Sequence, residues 1–205
     1  MAAEPQVYEI LAQALLYPDA AFAAKMQVRV QALSVVPAWA QQLVDALSGA
    51  ALEDLQTEHV RLFVNAYGGA PCLPYESVYA ERQALGEVAQ EVAVLYAQWG
   101  VEETGEMPDH AAVELAFAAQ LARLRQVLEE REDRELAQLT LEEFERDHLR
   151  AWLPGLAADL KSAAELTFYQ ALGVALQAVF GVTEASIRAR RHAASADALF
   201  LDLPV

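Results

Sequence analysis

Apolar residues recur along this chain at helical spacing, and no segment alternates apolar and polar residues long enough to make a strand. Val7, Ile10, Leu11, Ala14 and Leu15 form one stripe that stops before Pro18. Asp19 is placed to cap a second helix running to about Leu33, and Pro37 suits the first turn of a third that ends near Gly49. Leu52, Leu55, His59, Leu62 and Phe63 share one face of a fourth. From Tyr67 to Glu76, the residues Gly68, Gly69, Pro71 and Pro74 forbid a continuous helix, and a loop of this length in a bundle is usually functional or disordered. The pattern then predicts helix from before Ala80 to Trp99, where Gly100 ends it.

Beyond Pro108 an amphipathic pattern of Val113, Phe117, Leu121, Leu124 and Leu128 begins. Thr140 and Glu143 read as a capping box opening a helix with Leu141, Phe144, His148 and Trp152, which Pro154 and Gly155 are expected to break. Leu166 to Thr183 carries no charge, and its Gln170, Gln177, Gly173 and Thr167 favour a buried bundle helix over a bilayer span. Thr183 can cap a last helix bearing Arg188, Arg190 and Arg191. The expectation is an all-α, single-domain helical bundle of about eight to ten helices over 1–205, with a functional loop at 67–79 and a C-terminal helix and tail at 185–205.

Composition narrows the function. Hydrophobic residues make up 55% of the 205, which is ample for a core. Fourteen Lys and Arg stand against 30 Asp and Glu, a formal net charge of −16 that excludes a conventional nucleic-acid binder. The lone Cys72 forms no internal disulfide and suits a reducing compartment. Met1 to Gln13 lacks the basic start and cleavage pattern of a secretory signal. A cytoplasmic protein without stable membrane insertion is expected.

Candidate chemistry is sparse. A di-iron or di-manganese bundle needs two Glu-x-x-His motifs, and only Glu145 to His148 has that form. His110 and Glu114 lie one helical turn apart and could share a zinc, the basis of an alternative reading as a metal-dependent helical enzyme or small-ligand carrier, but no third ligand stands at motif spacing. Hydrolase, phosphate-loop and dinucleotide motifs are missing. His59, His110 and His148 each follow an acid and fall on or beside an apolar stripe, as half-buried hydrogen-bonded imidazoles do.

Four segments carry a resemblance. Tyr8-Glu9-Ile10-Leu11 with Leu16-Tyr17-Pro18, then Glu58-His59-Val60-Arg61-Leu62-Phe63, then Pro74-Tyr75-Glu76-Ser77-Val78-Tyr79, then Met107-Pro108-Asp109-His110 with Glu114-Leu115-Ala116-Phe117, resemble the TorD/DmsD/NarJ redox-enzyme maturation chaperones in order and spacing. Ala111 and Ala118 stand where that family often has Leu and Met. The resemblance implies a TorD-like bundle, not an enzyme, that binds the twin-arginine signal peptide of a molybdenum-cofactor oxidoreductase. It also implies support of cofactor insertion into the apo catalytic subunit before export. No cofactor is required on that reading; transient contact with molybdopterin guanine dinucleotide or a guanine nucleotide is implied by the family alone, and the protein would be a monomer or dimer. The implied peptide site comprises Tyr75, Glu76, Ser77, Tyr79, Glu106, Pro108, Asp109, His110, Glu114 and Phe117. Asp109 is expected to contact a guanidinium or cap its own helix, and His110 to hydrogen-bond toward Glu114. Paired guanidiniums followed by an apolar stretch call for acids beside an apolar groove, which Glu102, Glu103, Glu106 and Asp109 would supply. Arg190-Arg191 followed by Leu199-Phe200-Leu201 copies that order and suggests a tail able to occupy the groove.

Overall fold

The computed structural model describes residues 3–82, 86–101 and 106–181; the expected last helix, the Arg190–Leu201 mimic and Glu102–Glu103 lie outside them. The described residues form α1 (Pro5–Leu15), α2 (Phe22–Gln31), α3 (Ala38–Leu47), α4 (Leu52–His59), α5 (Glu76–Ala80), α6 (Glu87–Gln98), α7 (Ala111–Val127), α8 (Arg131–Phe144), α9 (Arg150–Ala163) and α10 (Thr167–Phe180). Two π turns, Val60–Val64 and Glu145–Leu149, extend α4 and join α8 to α9. Among these residues there is no named strand, and no helix is long and apolar enough to cross a membrane.

Two pairings organise the bundle: α1 packs along α7, and α9 along α10, with α8 and α3 closing the flanks. The apolar stripe of α1 buries Ile10, Leu11, Ala14 and Leu15, and the uncharged α10 buries Phe168, Tyr169, Leu172, Leu176 and Phe180. Gly173 permits the α9–α10 approach, because a Cβ there would lie 2.9 Å from the Ala157 carbonyl oxygen. Glu58 ties α4 to the same corner. It pairs with Arg61 at 2.6 Å and accepts the backbone N–H of Glu165 at 2.7 Å, just ahead of α10, while Arg61 also donates to the Ala163 carbonyl.

Three expectations are corrected. The helix predicted to run from before Ala80 to Trp99 is interrupted: Arg82 adopts φ +58°, and Glu81 accepts the Val88 N–H at 3.0 Å, so its carboxylate serves the start of α6. Thr140 lies inside α8 and opens nothing. Pro154 and Gly155 sit within α9, where Pro154 follows a π turn whose wider loop already alters the hydrogen-bond register.

Candidate functional site

The loop after α4 returns to the bundle through a single antiparallel bridge between Tyr75 and His110. Glu76 donates its N–H to the Asp109 carbonyl at 2.9 Å, and Ala111 donates to the Pro74 carbonyl at 2.8 Å. These two bonds bring the Pro-Tyr-Glu-Ser and Pro-Asp-His segments together, so the motifs separated in sequence form one site.

Asp109 is fully buried. Its Oδ2 accepts from the Ser77 backbone N–H at 3.1 Å and from the Ser77 hydroxyl at 2.5 Å, while Oδ1 has no partner. The carboxylate therefore caps the first turn of α5, across the bridge, and not its own helix. His110 caps α7 instead: Nδ1 accepts the Ala112 N–H at 3.1 Å, which leaves its ring edge-on to Tyr75 with centroids 5.2 Å apart. The expected bond from His110 toward the Glu114 carboxyl is replaced by this cap.

Glu114 turns inward and is completely buried. Trp152 donates its indole N–H to Oε2 at 3.0 Å. Burial, then the charge of adjacent Glu76, pushes the Glu114 carboxyl well above the usual carboxylate range; the Trp152 bond offsets this only in part. Oε1 has no hydrogen-bond partner, and holding a proton spares Glu114 a buried negative charge beside Glu76. Glu76 Oε2 in turn lies 2.9 Å from His148 Nδ1. Trp152 with Glu114 and Glu76 with His148 thus form two adjacent pairs that draw α9, α7, α5 and the second π turn together. Tyr96 adds a third tie by donating to the Pro108 carbonyl at 2.8 Å.

Of the ten expected site residues, Glu76, Ser77, Asp109, His110, Glu114 and Phe117 are buried. Phe117 packs on Tyr96 and Phe144. Tyr79 lies half-buried along α9, donating to Asp159 at 2.8 Å and passing over Gly155. Tyr75 and Pro108 are partly exposed, and Glu106 is exposed beside them. The Tyr75 phenol is raised by burial and then by the charges of Glu106 and Asp109, which places both acids near its ring. His148, Trp152 and Tyr96 complete the site although the expected set omits them; the signal for His148 and Trp152 was their spacing with Phe144 on one helical stripe, and Tyr96 had none.

The metal alternative loses its geometry here. Among the described residues no three His, Cys, Asp or Glu side chains are grouped to hold a metal ion. Glu145 bonds Tyr8 and Arg150, whereas His148 faces Glu76, so the Glu-x-x-His pair is split between two partners. Gly68 and Gly69 take φ +92° and +102° and lead toward Pro71 rather than into a helix, so this turn does not fit a phosphate cradle for the nucleotide that the resemblance allows.

A second surface opens on the other side of α7. Ala12 and Leu16 of the α1 end face Ala112, Val113, Ala116 and Ala119 of α7 across a groove of about 570 Å³. Glu106 stands at one end. At the other, Glu9 is bridged by Arg29 at 2.7 Å and by Arg123.

Residues 34–158, spanning α3 to the first turns of α9 and including both bridged segments, match the family described as nitrate reductase delta subunit. The chain belongs to the nitrate reductase delta subunit family. It is 34% identical over 128 residues to the chaperone protein TorD of Photobacterium profundum, covering 58% of this chain and 59% of that protein. It is 33% identical over 139 residues to the chaperone protein TorD of Vibrio parahaemolyticus, covering 62% and 63%. The match thus spans about three fifths of these relatives' length. A solved structure from Archaeoglobus fulgidus, named for redox enzyme maturation, aligns with TM-score 0.62 at 20% identity over 86% of this chain and 96% of that one. That last likeness is one of fold.

Proposed function

We propose that this protein is a cytoplasmic maturation chaperone that binds the twin-arginine signal peptide of a molybdenum-cofactor oxidoreductase and holds its apo catalytic subunit until the cofactor is inserted. One observation carries the reading: the Tyr75–His110 bridge locks two motif segments so that Glu106, Tyr75 and Pro108 stand together at the surface, over the buried Asp109. The names of the relatives support it.

The division of labour follows from burial. Glu106 meets an arginine directly, since an exposed carboxylate can change partners at little desolvation cost. Tyr75 and Pro108 supply the apolar flank. Glu76, Ser77, Asp109, His110, Glu114 and Phe117 are positioning residues that hold this surface in place, and Tyr79 anchors α5 on α9. The net charge steers a cationic peptide toward the protein and makes association salt-sensitive.

Titration calorimetry with a peptide of paired arginines followed by an apolar segment, at low and high salt, tests the reading. Binding that weakens with salt and on replacing either arginine is expected. Affinity indifferent to both arginines would sink it.

A further inference from the structure

We infer that the groove between α1 and α7 receives the apolar segment of the signal peptide in one fixed direction, with the arginine end at Glu106 and the apolar stretch running toward Arg123. This rests on the peptide-binding reading above and adds a second surface and a polarity to it.

The groove is built for a chain with little bulk to spare. Its floor is alanine, with Ala12, Ala112 and Ala119 all nearly buried, and its rims are Leu16, Val113 and Ala116. Leu16 is 45% exposed, an apolar side chain left in water at the end of its helix. Side chains larger than alanine on the floor would fill the space, so the small residues of α7 create the concavity. From Ala112 to Arg123 the helix advances eleven residues, about 16 Å at 1.5 Å each. An apolar helix of about three turns matches that length.

Charge sets the direction. Glu106 closes the groove at the α7 N-terminus, beside the surface assigned to the arginines. The opposite end carries Arg29 and Arg123, both reaching Glu9 and both exposed by more than a third of the side chain. A basic peptide end placed there would face two guanidiniums whose acid is already shared. At the Glu106 end it meets a carboxylate with no ion-pair partner among the described residues. The helices run antiparallel across the groove, since Ala3, just ahead of α1, and Glu9 of its N-terminal half meet Arg125 and Arg123 of the α7 C-terminal half, which puts Leu16 toward the α7 N-terminus. The exposed end of α1 therefore lies on the arginine side, where it adds apolar surface just after the charges.

Photo-crosslinking tests this on the full-length protein. Two versions of a twin-arginine peptide carry a benzophenone amino acid at the first or the last apolar position after the arginines, and adducts are mapped by mass spectrometry. The first position should label Leu16 or Val113, and the last should label the Ala119–Arg123 turn. Ala116→Phe, which fills the groove from an exposed site, should weaken binding by about tenfold at an unchanged melting temperature, and Ala116→Ser should not. Peptide that binds but labels in the reverse order, or elsewhere, or ignores Ala116→Phe, overturns the groove assignment and leaves the peptide-binding reading standing. Peptide that does not bind overturns both.

Discussion

Asp109 and Ser77, 32 residues apart, form the tightest polar contact of the site: one carboxylate oxygen takes both the backbone N–H and the hydroxyl of the serine. A residue that the sequence offers as a cap for the helix after it is used by a helix before it. The motif's aspartate thus reports on loop position as much as on charge.

Asp109→Ala should cost roughly 3 kcal/mol, because it strands two buried donors and removes a charge-assisted acceptor. Asp109→Asn should cost less, since the amide oxygen still accepts from Ser77. Urea unfolding of both variants measures this. Equal losses would show that the charge, rather than the cap, is what the site needs.

Glu114 makes stability fall as pH rises. Its folded-state pKa is raised, so the folded protein holds a proton that the unfolded chain releases. The contribution is complete below the ordinary carboxylate range and is lost as pH climbs through that range toward the raised value. Glu114→Gln keeps a donor toward Glu76 and an acceptor for Trp152 without titrating. The variant should gain stability over the parent as pH increases, in melts from pH 5 to 9; a constant difference across that range would refute the raised Glu114 pKa.

His59 acts on the acid side. It is buried against Tyr17, Phe63 and Tyr169, its Nδ1 has no partner, and burial followed by the charge of His110 lowers its pKa to about 4. The unfolded chain takes up this proton first, so stability is lost as pH falls from about 6.5 toward 4, by up to about 3 kcal/mol. His59→Leu should flatten that limb. An unchanged acid limb would assign it to other groups, His110 first among them.

Two glycines should respond differently to alanine. At Gly155 the new Cβ would sit 3.0 Å from a Tyr79 ring carbon, and the ring can shift at the expense of its bond to Asp159. The helix-propensity gain of about 1 kcal/mol nearly offsets that. At Gly173 the obstacle is the Ala157 backbone oxygen at 2.9 Å, which cannot move without parting α9 from α10. Gly173→Ala should destabilise by roughly 2–3 kcal/mol and Gly155→Ala by under about 1. Thermal melts of the pair check the ordering.

Much of this fold was legible because helical periodicity is local. The stripe ending at Leu15, the charge-free run of α10 and the stop at Gly100 all sit where the pattern puts them. The failures share a cause, since each depends on a partner the pattern does not contain. Glu81 and Arg82 are good helix formers, but Glu81 is spent on the start of α6. Thr140 and Glu143 have capping spacing within a helix that already runs through them. The site divides the same way. Residue types and motif order single out two segments that the bridge brings together, while the inward turn of Asp109 and Glu114 depends on the bridge to Tyr75 and on Trp152, and the groove depends on which faces α1 and α7 turn to each other.

Glu58 has a consequence for how the molecule opens. Its carboxylate holds the Glu165 amide 107 residues away, so that amide is released only when α4 separates from the α9–α10 corner. Fraying of α10 alone does not free it. In native-state hydrogen exchange, Glu165 should therefore exchange at the rate of whole-domain unfolding despite sitting at a helix start, a position that ordinarily exchanges early. The N-terminal and C-terminal halves of the bundle would then behave as one cooperative unit.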